Sequence, residues 1–223
     1  MPRSILIILI VAGGTLLLGT LAFFFVIQAS RRVPKFYSEA LAADPEKQAK
    51  ASDEMLQRTT ALASDAKKAG PWQAVFTSDQ INGWLAVDLV KNHPEMLTEN
   101  LRDIRVDIAP NRLTVACRAE LDSVQGVVSI TVDAHVTKTN VIAIRFQKAR
   151  LGIIPLPLDK LLRELLEGTK SANLNIQLTQ ANGAPVALIA IPQPQDGKRI
   201  NVEAIELGED ELFITGTTKP KDD

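Results

Sequence analysis

The sequence predicts an α+β protein: an N-terminal transmembrane helix, then an antiparallel sheet packed on two main helices. Three observations carry this reading. From Ile5 to Ile27 no charge interrupts the chain, and 18 of those 23 residues come from the set AVILMFWYC. Between Ile104 and Arg150 four segments hold an apolar–polar alternation across short turns, the pattern of strands with one buried face. Two other stretches, beginning at Ser78 and Leu158, carry apolar residues at helical spacing.

The first element is the apolar run. At about 1.5 Å per residue it makes a helix of about 34 Å, matching a hydrocarbon core of about 30 Å. A cleavable signal peptide is the alternative, but its apolar region is typically only about 7–15 residues long. Bulky Ile27 also stands where a cut after Ala29 needs a small residue. A retained, single-pass signal-anchor in the inner (plasma) membrane is therefore expected. Arg3 precedes the run and Arg31, Arg32 and Lys35 follow it, which leans weakly toward a cytoplasmic domain. Long domains translocate largely regardless of such charges, and an extracytoplasmic domain is favoured.

With those four cations set aside from the 25, the rest carries 21 basic against 26 acidic residues. A net-negative domain without a basic stripe argues against nucleic acid as a partner. The domains expected are the anchor with its flanks over 1–35, a linker helix within 36–71, an α+β domain over 72–218 and a frayed tail at 219–223.

Asp44-Pro45-Glu46 reads as a helix start, and Gly70-Pro71 stops that helix after about Lys68. Its stripe of Met55, Leu56, Leu62, Ala63 and Ala66 is thin, fit to pack on the domain edge, to act as a spacer or to meet a partner. Trp72 to Phe76 is extended. Thr77-Ser78-Asp79-Gln80 is a capping box opening a helix with Ile81, Trp84, Leu85, Val87, Leu89 and Val90, which ends before Asn92-His93-Pro94. Strands follow over 103–108, 112–121, 128–137 and 141–150, with Ile104, Val106, Leu113, Val115, Cys117, Val128, Ile130, Val132, Ile144 and Phe146 on the apolar face. Ile153 to Pro157 leads into a helix over 158–167 whose face holds Leu158, Leu161, Leu162, Leu165 and Leu166. Strands at 174–178, 186–191, 200–207 and 211–215 close the chain, the last two as a hairpin across Gly208-Glu209-Asp210.

Catalytic chemistry finds little support. No nucleophile elbow, phosphate loop or dinucleotide turn is present. His135 shares a strand face with Asp133, but no nucleophile stands beside the pair. Cys117 falls on an apolar face, where ionisation is disfavoured, and as the single cysteine it excludes an internal disulfide. No enzyme activity, cofactor or metal is expected.

Phe76-Thr77-Ser78-Asp79-Gln80-Ile81-Asn82-Gly83-Trp84-Leu85 resembles the F-T-x-x-Q-L-N-x-[YWL]-L segment of YpmS-like proteins, small single-pass proteins of the bacterial cell envelope. Ala149-Arg150-Leu151-Gly152-Ile153-Ile154-Pro155-Leu156-Pro157 resembles their G-x-[IL]-x-[IL]-P passage into a leucine-rich helix. The resemblance spans about residues 72–167. It implies a fold similar to tubular lipid-binding (TULIP-like) domains, in which a curved antiparallel sheet wraps a helix and lipid tails lie in the seam. Such a groove would be lined by Leu85, Leu89, Ile104, Val106, Val115, Ile130, Val132, Phe146, Leu161 and Leu165. Thr77, Gln80 and Asn82 are expected to be structural, Asn82 by bonding a strand's backbone. The implied partners are the membrane, through Ile5 to Ile27, and a lipid ligand. Periodicity alone does not separate a groove from a filled core. A scaffold or accessory subunit bound to a membrane-protein partner is the other functional class open at this point.

Overall fold

The computed structural model describes residues 28–30, 32–97, 100–121, 124–158, 162, 176–181, 183–194 and 198–220. The anchor expected at 5–27 and nearly all of the helix expected at 158–167 lie outside them, and no helix among the described residues is long and apolar enough to cross a membrane. The elements are α1 (Lys35–Leu41), α2 (Pro45–Asp65), β1 (Gly70–Thr77), α3 (Ser78–Ala86), α4 (Asp88–Asn92), a 3-10 turn (Pro94–Met96), β2 (Leu101–Ala109), β3 (Arg112–Leu121), β4 (Val124–Lys138), β5 (Val141–Leu151), β6 (Ile154–Pro155), β7 (Ile176–Ala181), β8 (Ala184–Ala190), β9 (Arg199–Leu207) and β10 (Glu211–Lys219).

The architecture is α+β, with curved antiparallel sheet and a few helices. The strands form two sheets. One has the order β2-β3-β4-β5-β8-β7, with β6 folded back on β5; the other is β1-β10-β9. Hairpins turn at Asn111, Asn140 and Asp210, whose φ of 57°, 61° and 63° suit the short polar side chains that tolerate the left-handed region. Register shifts interrupt β2 at Arg102/Arg105 and β4 at Thr131/Val132 and Val136/Lys138. Such bulges bend and twist long strands, so the large sheet coils rather than lying flat.

Register sets the faces. Val106, Val115, Ile130 and Ala149 stand in one row across β2 to β5, and Ile108, Leu113, Val132 and Phe146 in the next. The opposite face was expected to be solvated, and there the structure corrects the sequence. α1, a helix the sequence did not signal, lies across it. Fully buried Tyr37 packs on Ala116 and Val127, flanked by Phe36 and Leu41. Arg105, an alternating polar residue, is buried as well. The residues before α1 dock too: Ile153 donates its N–H to the Ala29 carbonyl at 3.1 Å. Gly152, at φ +60°, has no room for a Cβ against the backbone of Ala29 and Ser30.

The helix from Ser78 is also corrected. It breaks at Val87 (φ −113°, ψ −65°) into α3 and α4, and Val90, expected in the core, is 55% exposed. α2 packs along α3 so closely that a Cβ at Gly83 would stand 2.7 Å from the Ala51 Cβ, the Gln48 carbonyl and the Ser52 nitrogen. In the small sheet, buried Trp72 donates its indole N–H to Thr218 Oγ1 at 3.0 Å, and that hydroxyl donates to the Ala66 carbonyl at 2.7 Å. This chain of bonds ties the C-terminal end of α2 to β1 and β10.

Candidate functional site

The large sheet begins with an edge strand, β2, whose backbone groups need partners away from β3. α3 supplies them. The Asn82 amide donates to the Val106 carbonyl at 2.9 Å and accepts the Val106 N–H at 2.7 Å, as a neighbouring strand would. One turn earlier Ser78 Oγ accepts the Ile108 N–H at 3.2 Å. The Ile108 carbonyl takes the Asp210 N–H at 3.1 Å from the β9–β10 turn. The helix is held at this height by its capping box: Thr77 Oγ1 accepts the Gln80 N–H, and Gln80 Oε1 accepts the Thr77 N–H, both at 3.2 Å. Gln80 also donates to Glu54 on α2 at 3.3 Å. Thr77, Gln80 and Asn82 thus form one connected device that closes the sheet's edge.

Behind that edge lies the apolar face. It brings together Val106, Val115, Ile130, Val132 and Phe146 on four consecutive strands. Val106 and Val132 are buried, whereas Val115, Ile130 and Phe146 are half-buried, as are Leu113, Cys117, Ile142 and Ile144 around them. Ile104 sits half-buried at the β2 bulge, Leu85 half-buried on α3, and Leu89 buried on α4. Leu161 and Leu165 are outside the described residues. Burial pushes the Cys117 thiol up to about 11, so it stays protonated and apolar at neutral pH.

The polar face holds what the sequence read only as alternating hydrophilic positions. Beside α1 is a cleft of about 380 Å³ that includes Arg32, Asp107, Arg112, Lys148 and Arg150. Adjacent strands gather these side chains, and no spacing in one segment signals that convergence. Farther along, Asp133 is engaged by Arg145 Nη2 at 2.6 Å and lies 4.0 Å from His135 Nδ1. The carboxylate is held by the guanidinium rather than orienting the imidazole. His93 stacks obliquely on Trp84, with ring centroids 6.1 Å apart, 3.6 Å from the Asp88 carboxylate. Among the described residues no three His, Cys, Asp or Glu side chains gather as a metal site.

No protein-family model matches the chain, and neither a curated protein nor a solved structure matches it at a significant level.

Proposed function

We propose that this chain is a single-pass, membrane-anchored domain on the extracytoplasmic side that binds or hands over a lipid without catalysis. In this reading Ile5 to Ile27 is the anchor. The leucine-rich segment 158–167 is the second main helix, covering the apolar face as in YpmS-like and TULIP-like proteins. The carrying observation is the face itself. Two register-matched rows, of Val, Ile, Leu and Phe with Ala149 at the end of one, cross four strands, and while Val106, Ile108, Val132 and Ala149 are buried, Val115, Ile130 and Phe146 among them are only half-buried. A closed core at native density would bury such side chains fully, and branched aliphatic walls with few polar groups are what an acyl chain requires.

A scaffold role through α2 draws less support. That helix turns Ala51 and Ser52 onto α3, and on its outer side Leu56 is the one large apolar residue that stands exposed among those described.

Native mass spectrometry of the full chain released from an uncharged detergent, with solvent extraction of the same sample, tests the reading. A reproducible mass excess that resolves to phospholipid is the expected result. A folded, monodisperse protein at its bare mass, unchanged after incubation with phospholipid vesicles, would sink it.

A further inference from the structure

The cleft beside α1 is unlike the rest of the domain. After residue 35 the chain carries 26 acidic residues against 21 basic ones, yet here Arg112, Lys148 and Arg150, joined by Arg32 from the segment before α1, meet a single carboxylate, Asp107. No ion pair engages those four cations among the described residues. The strands present hydroxyls between them: Ser129 is buried, and Thr114 and Thr131 face each other across β3 and β4, 3.4 Å apart at Oγ1. Converging guanidinium, ammonium and hydroxyl donors around a concave floor suit a tetrahedral oxyanion, because charge-assisted bonds to phosphate are strong and guanidinium binds it two-pronged.

The rim says which phosphate. Val33 is 46% and Ile153 44% exposed, and both border the cleft with Phe36. An apolar lip beside a cationic floor fits a molecule that carries hydrocarbon next to its phosphate. Position agrees with this. Arg32 lies five residues beyond Ile27, at most about 18 Å of chain, and the chain between them is pinned to the domain at Gly152 and Ile153.

We propose that this cleft binds the phosphate of an anionic phospholipid from the leaflet beside the anchor. The inference rests on the lipid-binding reading above and adds a headgroup site on the opposite face of the sheet. The four cations are exposed, so neutral substitutions there leave the fold intact.

The test is calorimetric titration of the full chain in uncharged detergent with dihexanoyl phosphatidylglycerol, dihexanoyl phosphatidylcholine and inorganic phosphate. It is repeated for the double variant R112Q/K148Q and the charge-keeping R112K/K148R. Both lipids carry the phosphodiester, but the choline ammonium of phosphatidylcholine meets the like charge of Arg32, Arg112, Lys148 and Arg150, so phosphatidylglycerol binds about tenfold more tightly. The preference disappears in R112Q/K148Q and survives in R112K/K148R. Equal affinity for the two lipids, or a preference untouched by R112Q/K148Q, overturns the headgroup site while leaving the apolar-face reading standing. Inorganic phosphate binding as tightly as phosphatidylglycerol overturns the lipid source. Variant-sensitive phosphatidylglycerol binding by a chain that carries no co-purified phospholipid and gains none from phosphatidylcholine vesicles supports the cleft and sinks the apolar-face reading alone.

Discussion

Residues 115 and 116 are neighbours on β3 that face opposite ways, and their surroundings invert what their chemistry suggests. Val115, on the hydrophobic side, is half-buried, whereas Ala116, on the side of Thr114 and Arg118, is fully buried under Tyr37. The same contrast runs across the sheet: Ile130 and Phe146 are partly open, while Arg105 and Ser129 on the other face are buried. Alternation therefore reports which face is apolar. It does not report which face is covered, since covering depends on where a distant helix docks. In this molecule a seven-residue helix seals the more polar face at one point with an aromatic ring and leaves a basic cleft beside it.

The largest effect should come from removing that seal. Tyr37→Ala deletes a fully buried aromatic side chain and leaves a void against Ala116 and Val127, at a cost of about 3–5 kcal/mol. Chemical denaturation of the full chain measures it. A loss under about 1 kcal/mol would mean that α1 does not hold the polar face.

Next comes the edge closure. Asn82→Ala leaves the Val106 N–H and carbonyl without partners on a buried residue, costing about 2–3 kcal/mol. Hydrogen exchange at the Val106 amide should accelerate in step. Asn82→Asp keeps an acceptor for the N–H but sets a carboxylate against the carbonyl, so it should not rescue.

The polar face should also betray itself by pH. Burial first, and the nearby Asp103 carboxylate second, push the Tyr37 phenol up from about 10 to about 12. The folded protein therefore holds this proton where the unfolded chain has released it. Stability is unaffected below about pH 10 and falls between about pH 10 and 12, by on the order of 2 kcal/mol. Tyr37 Oη has no hydrogen-bond partner, so Tyr37→Phe should cost little at neutral pH and should flatten the alkaline decline. An equal decline in wild type and Tyr37→Phe would assign it to other groups.

How much of this was legible follows from the range of each interaction. The capping box at Thr77 and Gln80 and the apolar alternation within each strand of the meander are written in residues two to four apart, and they can be read directly. The positive-φ turns at Asn111, Asn140 and Asp210 are equally local. The second sheet is not, because β1 pairs with β10 across more than 130 residues and no local pattern encodes that partner. α1 was missed because Lys35–Leu41 has no side-chain cap and only seven residues. Its stability comes from Tyr37 docking, which is tertiary. The break at Val87 was missed for a related reason. The apolar spacing runs through it, while Asp88, buried and bonded by Asn92 at 2.6 Å, starts a new turn. The basic cleft draws one or two residues from each of several strands and the segment before α1, so its charge is visible only after folding.

The smallest expected effect sharpens the comparison most, because the two substitutions sit back to back on one strand. Val115→Ala removes two methyl groups from a half-buried position, worth about 1 kcal/mol or less. Ala116→Val adds two methyl groups where Tyr37 already fills the space, and overpacking of that kind costs about 1–3 kcal/mol. Deleting hydrophobic bulk from the apolar face should thus be milder than adding it to the polar one, the reverse of what residue type alone implies. Thermal unfolding of the two variants decides it. If Val115→Ala proves the more damaging, the apolar face is a closed core and has no room for an acyl chain.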